Sequence, residues 1–282
     1  MSTAFLFNNK MMKYGTHVMG ISSSPTPPVP VLPSNTVRVR TSDGNAPVKN
    51  YDNTFESATL VEGTTDVYDV YKSGTSFSDL LYRCTNITEV LGANLTGIKR
   101  TSYMFSQCSS LTAVSLSNTS SVTRMDKMFY KCTSLTTVAL FDTSSVTNME
   151  GMFEDCSSLT TIPLFDTSSV NNMRDMFNGA SCITSIPLLD TSSVTNMFAM
   201  LEDCSSLTTI PLFDTSSVTD MGYMCAYCSN VESGALALYQ QASSQTTPPS
   251  RHNATFYNCG KDTTTGAAEL AQIPASWGGT AS

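Results

Sequence analysis

The stretch CSSLTTIPLFDTSSV at residues 156–170 returns letter for letter at residues 204–218. The repeat runs well beyond these two copies. At a period of 24, Cys84, Cys108, Cys132, Cys156, Cys204 and Cys228 form one column, with Ala180 on the missing rung. Phe105, Phe129, Phe153, Phe177 and Leu201 form a second, each preceded by a methionine. A repeat of this length sets the architecture, because one such unit cannot bury its own apolar face and must stack on its neighbours.

Within a unit the apolar residues follow two periods. Met149, Met152, Phe153 and Cys156 fall on one face of a helical turn or two, by the spacing MxxMFxxC. In LTTIPLF, strict alternation turns Ile162 and Leu164 inward and Thr161, Pro163 and Phe165 outward. DTSSV then reads as a turn, its Asp and Ser side chains satisfying backbone amides. The expected fold is an α/β solenoid, a leucine-rich-repeat-like stack of about seven 24-residue coils with a parallel sheet on one face, a β-rich N-terminal cap and a helical C-terminal cap.

Four regions follow. Residues 1–33 read as an anchoring arm and Pro-rich linker, ending in SPTPPVPVLP. Residues 34–73, with VRVR and TTDVYDVY around the turn signal SDGN, read as the β-rich cap. The repeat occupies residues 74–231. Residues 232–282 read as a C-terminal cap with a helix at ALALYQQA and a degenerate last coil, in which TFYNC resembles the MFYKC of residues 128–132.

Composition narrows the function classes. The 282 residues carry a net charge of −8, and the 15 Lys and Arg do not cluster, which excludes a general nucleic-acid or anionic-membrane partner. No run approaches the ~18 apolar residues of a membrane span, and the N-terminus has no continuous apolar core of the signal-peptide kind. Alanine at position 180 cannot stand in for half a disulfide or a metal ligand, so the cysteine column reads as buried free thiols. No catalytic residue, metal ligand or cofactor site is expected. His17 and His252 are too far apart for a centre, Cys225 and Cys228 make a lone CxxC, and the acidic residues track a turn column instead of a glycosidase cleft.

Two columns are left for recognition. Phe141, Phe165, Leu189 and Phe213 follow the inward leucine and are expected to point outward as a ligand-binding strip for sugar rings or a protein. Packing beneath the DTSS loop and self-association are the competing readings. Asp142, Asp166, Asp190 and Asp214 form a like-charge ladder, expected to cap turns in preference to binding calcium. The charged positions from Arg124 to Asp203 read as a solvated face.

The unit TSSVTNMxxMFxxCSSLTTIP, carried by residues 143–163 and, with Leu201 for Phe, by residues 191–211, resembles the BspA-type leucine-rich repeat of bacterial, protist and phage surface proteins. The resemblance implies a non-catalytic solenoid that binds proteins or host surfaces. With no export signal read at the N-terminus, it implies a phage virion accessory or fibre protein, held to other virion proteins by its arm and attached to a bacterial surface glycan or protein. A purely structural capsid or tail decoration protein, a bacterial surface adhesin and a polysaccharide hydrolase are the alternatives.

Overall fold

The computed structural model describes residues 6–7, 10–11, 32–47 and 54–281, in two units, residues 1–31 and 32–282. In the first, β1 (Leu6–Phe7) pairs antiparallel with β2 (Lys10–Met11). Of the arm and linker expected over residues 1–33, residues 32 and 33 belong to the second unit, and residues 1–5, 8–9 and 12–31 lie outside the described residues.

The second unit opens with a six-stranded mixed sheet in the order β4-β5-β3-β6-β7-β8. Its strands are β3 (Thr36–Thr41), β4 (Ser57–Leu60), β5 (Val67–Tyr71), β6 (Ile87–Asn94), β7 (Ala113–Val114) and β8 (Thr137–Val138). β3 lies antiparallel between β5 and β6, and β6, β7 and β8 run parallel. Alternation explains β3. Val37 and Val39 are fully buried, while Arg38 pairs with Asp69 at 2.7 Å and Arg40 with Asp66 and Glu89, both at 3.0 Å.

The expected leucine-rich-repeat solenoid, with a parallel sheet along one face and a helical segment in each coil, is not formed. The sheet is mixed, its parallel part ends at β8, and among the described residues both α-helices, α1 (Ala235–Ser243) and α2 (Thr264–Leu270), lie near the C-terminus. Two physical causes account for the difference.

The first is proline. Ser115 and Ala139 each donate a backbone N–H to the preceding unit, at Val90 and Val114. The next three positions in that column are Pro163, Pro187 and Pro211, which have no N–H to give. The ladder therefore stops where the prolines begin.

The second is backbone handedness. In each MxxMFxxC segment two positions four residues apart take positive φ: Lys127 and Lys131, Gly151 and Asp155, Asp175 and Gly179, Ala199 and Asp203, with φ between 53 and 74°. An α-helix cannot contain them. Consecutive turns form instead, and their hydrogen bonds alternate. Met152, Glu154 and Cys156 donate three residues back along the chain, whereas Met149, Gly151, Phe153 and Asp155 donate to Asn172, Arg174, Met176 and Asn178 of the next unit at 2.7–3.0 Å. The same seam runs from Phe77–Arg100 through to Tyr227–Tyr257, where the last turns, residues 251–259, close it. Neighbouring units are thus joined as turn-built layers, with isolated parallel bridges at Arg124–Asn148, Asn148–Asn172 and Asn172–Asn196.

The core follows from this stacking. Met149, Met152, Phe153, Cys156 and Leu159 are fully buried, as are their counterparts in adjoining layers. Phe105, Phe129, Phe153 and Phe177 stack nearly parallel with centroids 5.5–5.7 Å apart. Cys108, Cys132, Cys156, Cys204 and Cys228 each donate their thiol to a carbonyl of the preceding layer at 3.0–3.2 Å. All nine cysteines are free, and Cys182 alone is exposed. Burial holds the thiols of Cys108, Cys132 and Cys228 well above the ordinary range, so they stay protonated and unreactive at mildly alkaline pH. Ellman's reagent is accordingly expected to titrate one thiol in the native protein and nine in denaturant. Fast native reaction of several thiols would contradict the buried column.

Candidate protein-docking face

The outward strip expected at Phe141, Phe165, Leu189 and Phe213 is inside. These residues are 6, 2, 2 and 0% exposed. Phe165 lies 5.0 Å from the Phe141 ring and 6.3 Å from that of Phe153. The residue before each takes the surface instead: Leu140, Leu164, Leu188 and Leu212 are 64, 61, 62 and 53% exposed. The first layer of the series shows why. There Leu116 is buried and the next residue is Ser117, whose hydroxyl donates to Ala93 at 2.6 Å. Where a large apolar side chain replaces that serine, it fills the interior and the leucine ahead of it is turned out. Phe213 N–H donates to the Pro211 carbonyl at 2.9 Å, a tight turn with Leu212 at its tip.

The leucines sit on an uncharged surface. Residues 132–141, 156–165, 180–189 and 204–213 contain no Asp, Glu, Lys or Arg. Thr136, Thr160 and Thr208 lie on it, each bonding to the carbonyl of a threonine one layer back at 3.1–3.4 Å. A notch lined by Leu140, Phe141, Asp142, Thr143, Leu164 and Asp166 lies beside the first two leucines. A shallow groove across β6, β7 and β8, lined by Leu91, Ala113, Ser115, Thr137 and Ala139 among others, lies on the same strands' surface.

One edge of this surface carries the Asp row. Ser144 donates both its N–H and its hydroxyl to Asp142 Oδ1, at 3.0 and 2.6 Å, and the pattern recurs at Asp166 and Asp190. Asp214 accepts from the Ser216 N–H at 2.8 Å. These serine hydrogen bonds hold the carboxyls of Asp142, Asp190 and Asp214 below the usual carboxylate range, so these three are ionised at neutral pH. The turn is anchored beneath by a buried threonine: Thr143, Thr167 and Thr191 each donate to the next layer's Asp carbonyl at 2.7–2.8 Å.

Lys127 and Lys131 reach Glu154 and Asp155 of the next layer at 3.4 and 3.9 Å, tying layers together across the charged face. Burial raises the carboxyls of Glu154 and Glu202, but among the described residues no group of three or more His, Cys, Asp or Glu side chains is arranged to hold a metal ion. Cys225 and Cys228 are fully buried free thiols, and His252 stacks on Trp277 with centroids 4.2 Å apart. His17 lies outside the described residues. Among the described residues no helix is long and apolar enough to cross a membrane.

Comparison with known families finds a model described as "Mycoplasma protein of unknown function, DUF285", matching residues 44–140, 99–186 and 131–239, which together cover more than half of the chain. No curated protein matches. The BspA-type leucine-rich-repeat resemblance is corrected by this result, since the repeat belongs to a different family description. The virion and phage terms, which entered only through that resemblance, lose their support with it.

Proposed function

The chain belongs to the family described as Mycoplasma protein of unknown function, DUF285, and from that premise we propose that it is a binding protein whose leucine face meets another protein. The observation that carries this reading is the recurrence of a leucine more than half exposed in four consecutive layers. Single exposed leucines are ordinary, whereas a regular apolar row on an uncharged surface marks a contact site. Burying these side chains in a partner contributes about 1–1.5 kcal/mol each.

Chemistry favours a protein over a glycan. Sugar rings pack on aromatic faces, and Phe141, Phe165 and Phe213 are interior. The bacterial-surface protein named among the expected partners fits this reading; a second copy fits less well, because residues 132–141, 156–165, 180–189 and 204–213 hold no Lys or Arg to meet the Asp row, and antiparallel pairing of the layers sets the two Asp rows against each other.

The test replaces the leucines without touching the core. Panning a random peptide library on the intact protein is expected to yield binders that lose at least about tenfold in affinity on Leu164→Ser/Leu188→Ser, equivalent to ~1.4 kcal/mol. The unfolding free energy of that double variant is expected to stay within about 1 kcal/mol of the parent. Binders that hold the serine variant as tightly as the parent would place recognition elsewhere.

A further inference from the structure

We infer that the occupant of the leucine face is an amphipathic α-helix laid along the stacking direction, with Lys or Arg along one flank. The inference rests on the docking reading above and specifies the partner's form. Its first support is spacing. Neighbouring layers are hydrogen-bonded main chain to main chain, as adjacent strands are, so the leucines recur every ~4.8 Å and four of them span about 14 Å. A helix presents one side chain per turn on a given face, at a pitch of about 5.4 Å, so its matching four positions span about 16 Å. The mismatch of ~2 Å is within the reach of a rotamer change. An extended peptide on the same line repeats its side chains every ~6.8 Å and spans about 20 Å, out of step by more than one whole layer.

The second support is charge. The Asp row follows the leucine row two residues later in each layer, and both line the notch at Leu140, Asp142, Leu164 and Asp166. It gives this surface a single acidic edge. The strand residues ahead of the leucines, among them the exposed Thr136, Thr160, Thr184 and Thr208, carry no charge. A helix with an apolar stripe of three to four turns and cationic residues on one side of that stripe meets both rows at once. The carboxyl groups of this row are held in place by hydroxyl hydrogen bonds that their own turns supply.

The experiment uses the full chain and three labelled peptides of about 14 residues, read by fluorescence anisotropy. One carries Leu at helical spacing with Lys on a single flank; one has the same stripe with Glu there; one has the composition of the first in an alternating, strand-forming order. The Lys-flanked helix is expected to bind at least about tenfold more tightly than either other peptide. Asp166→Asn/Asp190→Asn is expected to weaken it about threefold to tenfold, and added salt to narrow that difference. Equal or tighter binding of the alternating peptide, or indifference to the Asp changes, overturns the helix assignment. If the Lys-flanked helix fails to bind while panned peptides still depend on Leu164 and Leu188, the helix assignment alone falls. If no peptide depends on those leucines, the docking reading falls with it.

Discussion

Replacing Phe165 by alanine is expected to remove about 3–5 kcal/mol of folding stability, measured by denaturant unfolding, because a fully enclosed ring is lost and its neighbours close in only partly. The ring is 2% exposed and contacts those of Phe141 and Phe153. Leu164→Ala, one residue earlier and 61% exposed, is expected to cost under about 1 kcal/mol. Two adjacent apolar residues should therefore differ severalfold, in the sense opposite to simple strand alternation. Phe165→Leu supplies a graded control, since Leu189 fills the equivalent place one layer on. It should cost only about 1–1.5 kcal/mol. A Leu164→Ala variant less stable than Phe165→Ala would reverse the inside-outside assignment on which the docking face depends.

Gly234→Ala is expected to cost about 3 kcal/mol, although alanine favours helices and this residue caps α1. Gly234 has φ of 102°, and a β-carbon there would press on the carbonyl oxygen of Ile210. That carbonyl is backbone and cannot swing aside, and the crossing is pinned by the Ile210 N–H donating to Ser233 at 3.0 Å. Backbone strain of ~1–3 kcal/mol adds to the displacement. Gly63→Ala separates the two contributions, because Gly63 has φ of 79° but nothing within 4 Å of the added carbon. It should show the conformational cost alone, about 1 kcal/mol. Similar unfolding free energies for the two variants would mean that the Ile210 contact carries no cost.

The legibility of this fold in its sequence was uneven, for reasons that particular residues make clear. Recurrence at 24 exposed the inward columns directly, because Cys156, Met149, Met152 and Phe153 have the same chemistry in every unit. Their local conformation was hidden. A spacing of three and four satisfies a helical face, but consecutive turns meet it equally, and only Gly151 and Gly179 hint at left-handed backbone while Lys127, Lys131 and Ala199 adopt it without any such sign. The limit of the sheet was written in Pro163, Pro187 and Pro211, yet alternation counts side chains and ignores which backbone amides can donate. The candidate face was missed by one residue. Alternation treats Leu164 and Phe165 as belonging to opposite sides, which is correct, but it cannot say which is inside without weighing bulk against bulk. The contrast of Leu116–Ser117 with Leu140–Phe141 was the available clue.

The alternating pattern of short turns and cross-layer bonds also bears on how such a chain can change its length. Along the turn seam each layer offers the same set of backbone donors to the one after it and accepts the same set from the one before, whatever side chains it holds there. Excision or duplication of a complete block among the proline-bearing layers rejoins matching edges along that seam, and the ridge of leucines shortens or grows by a single step. The excursion between residues 229 and 250, which carries α1 and still returns the chain to its seat against residues 221–227, marks a corner where extra sequence has been absorbed. Reach along a bound helix is thereby separable from the identity of either end, and variants of different span can be made by gene duplication without redesigning a core.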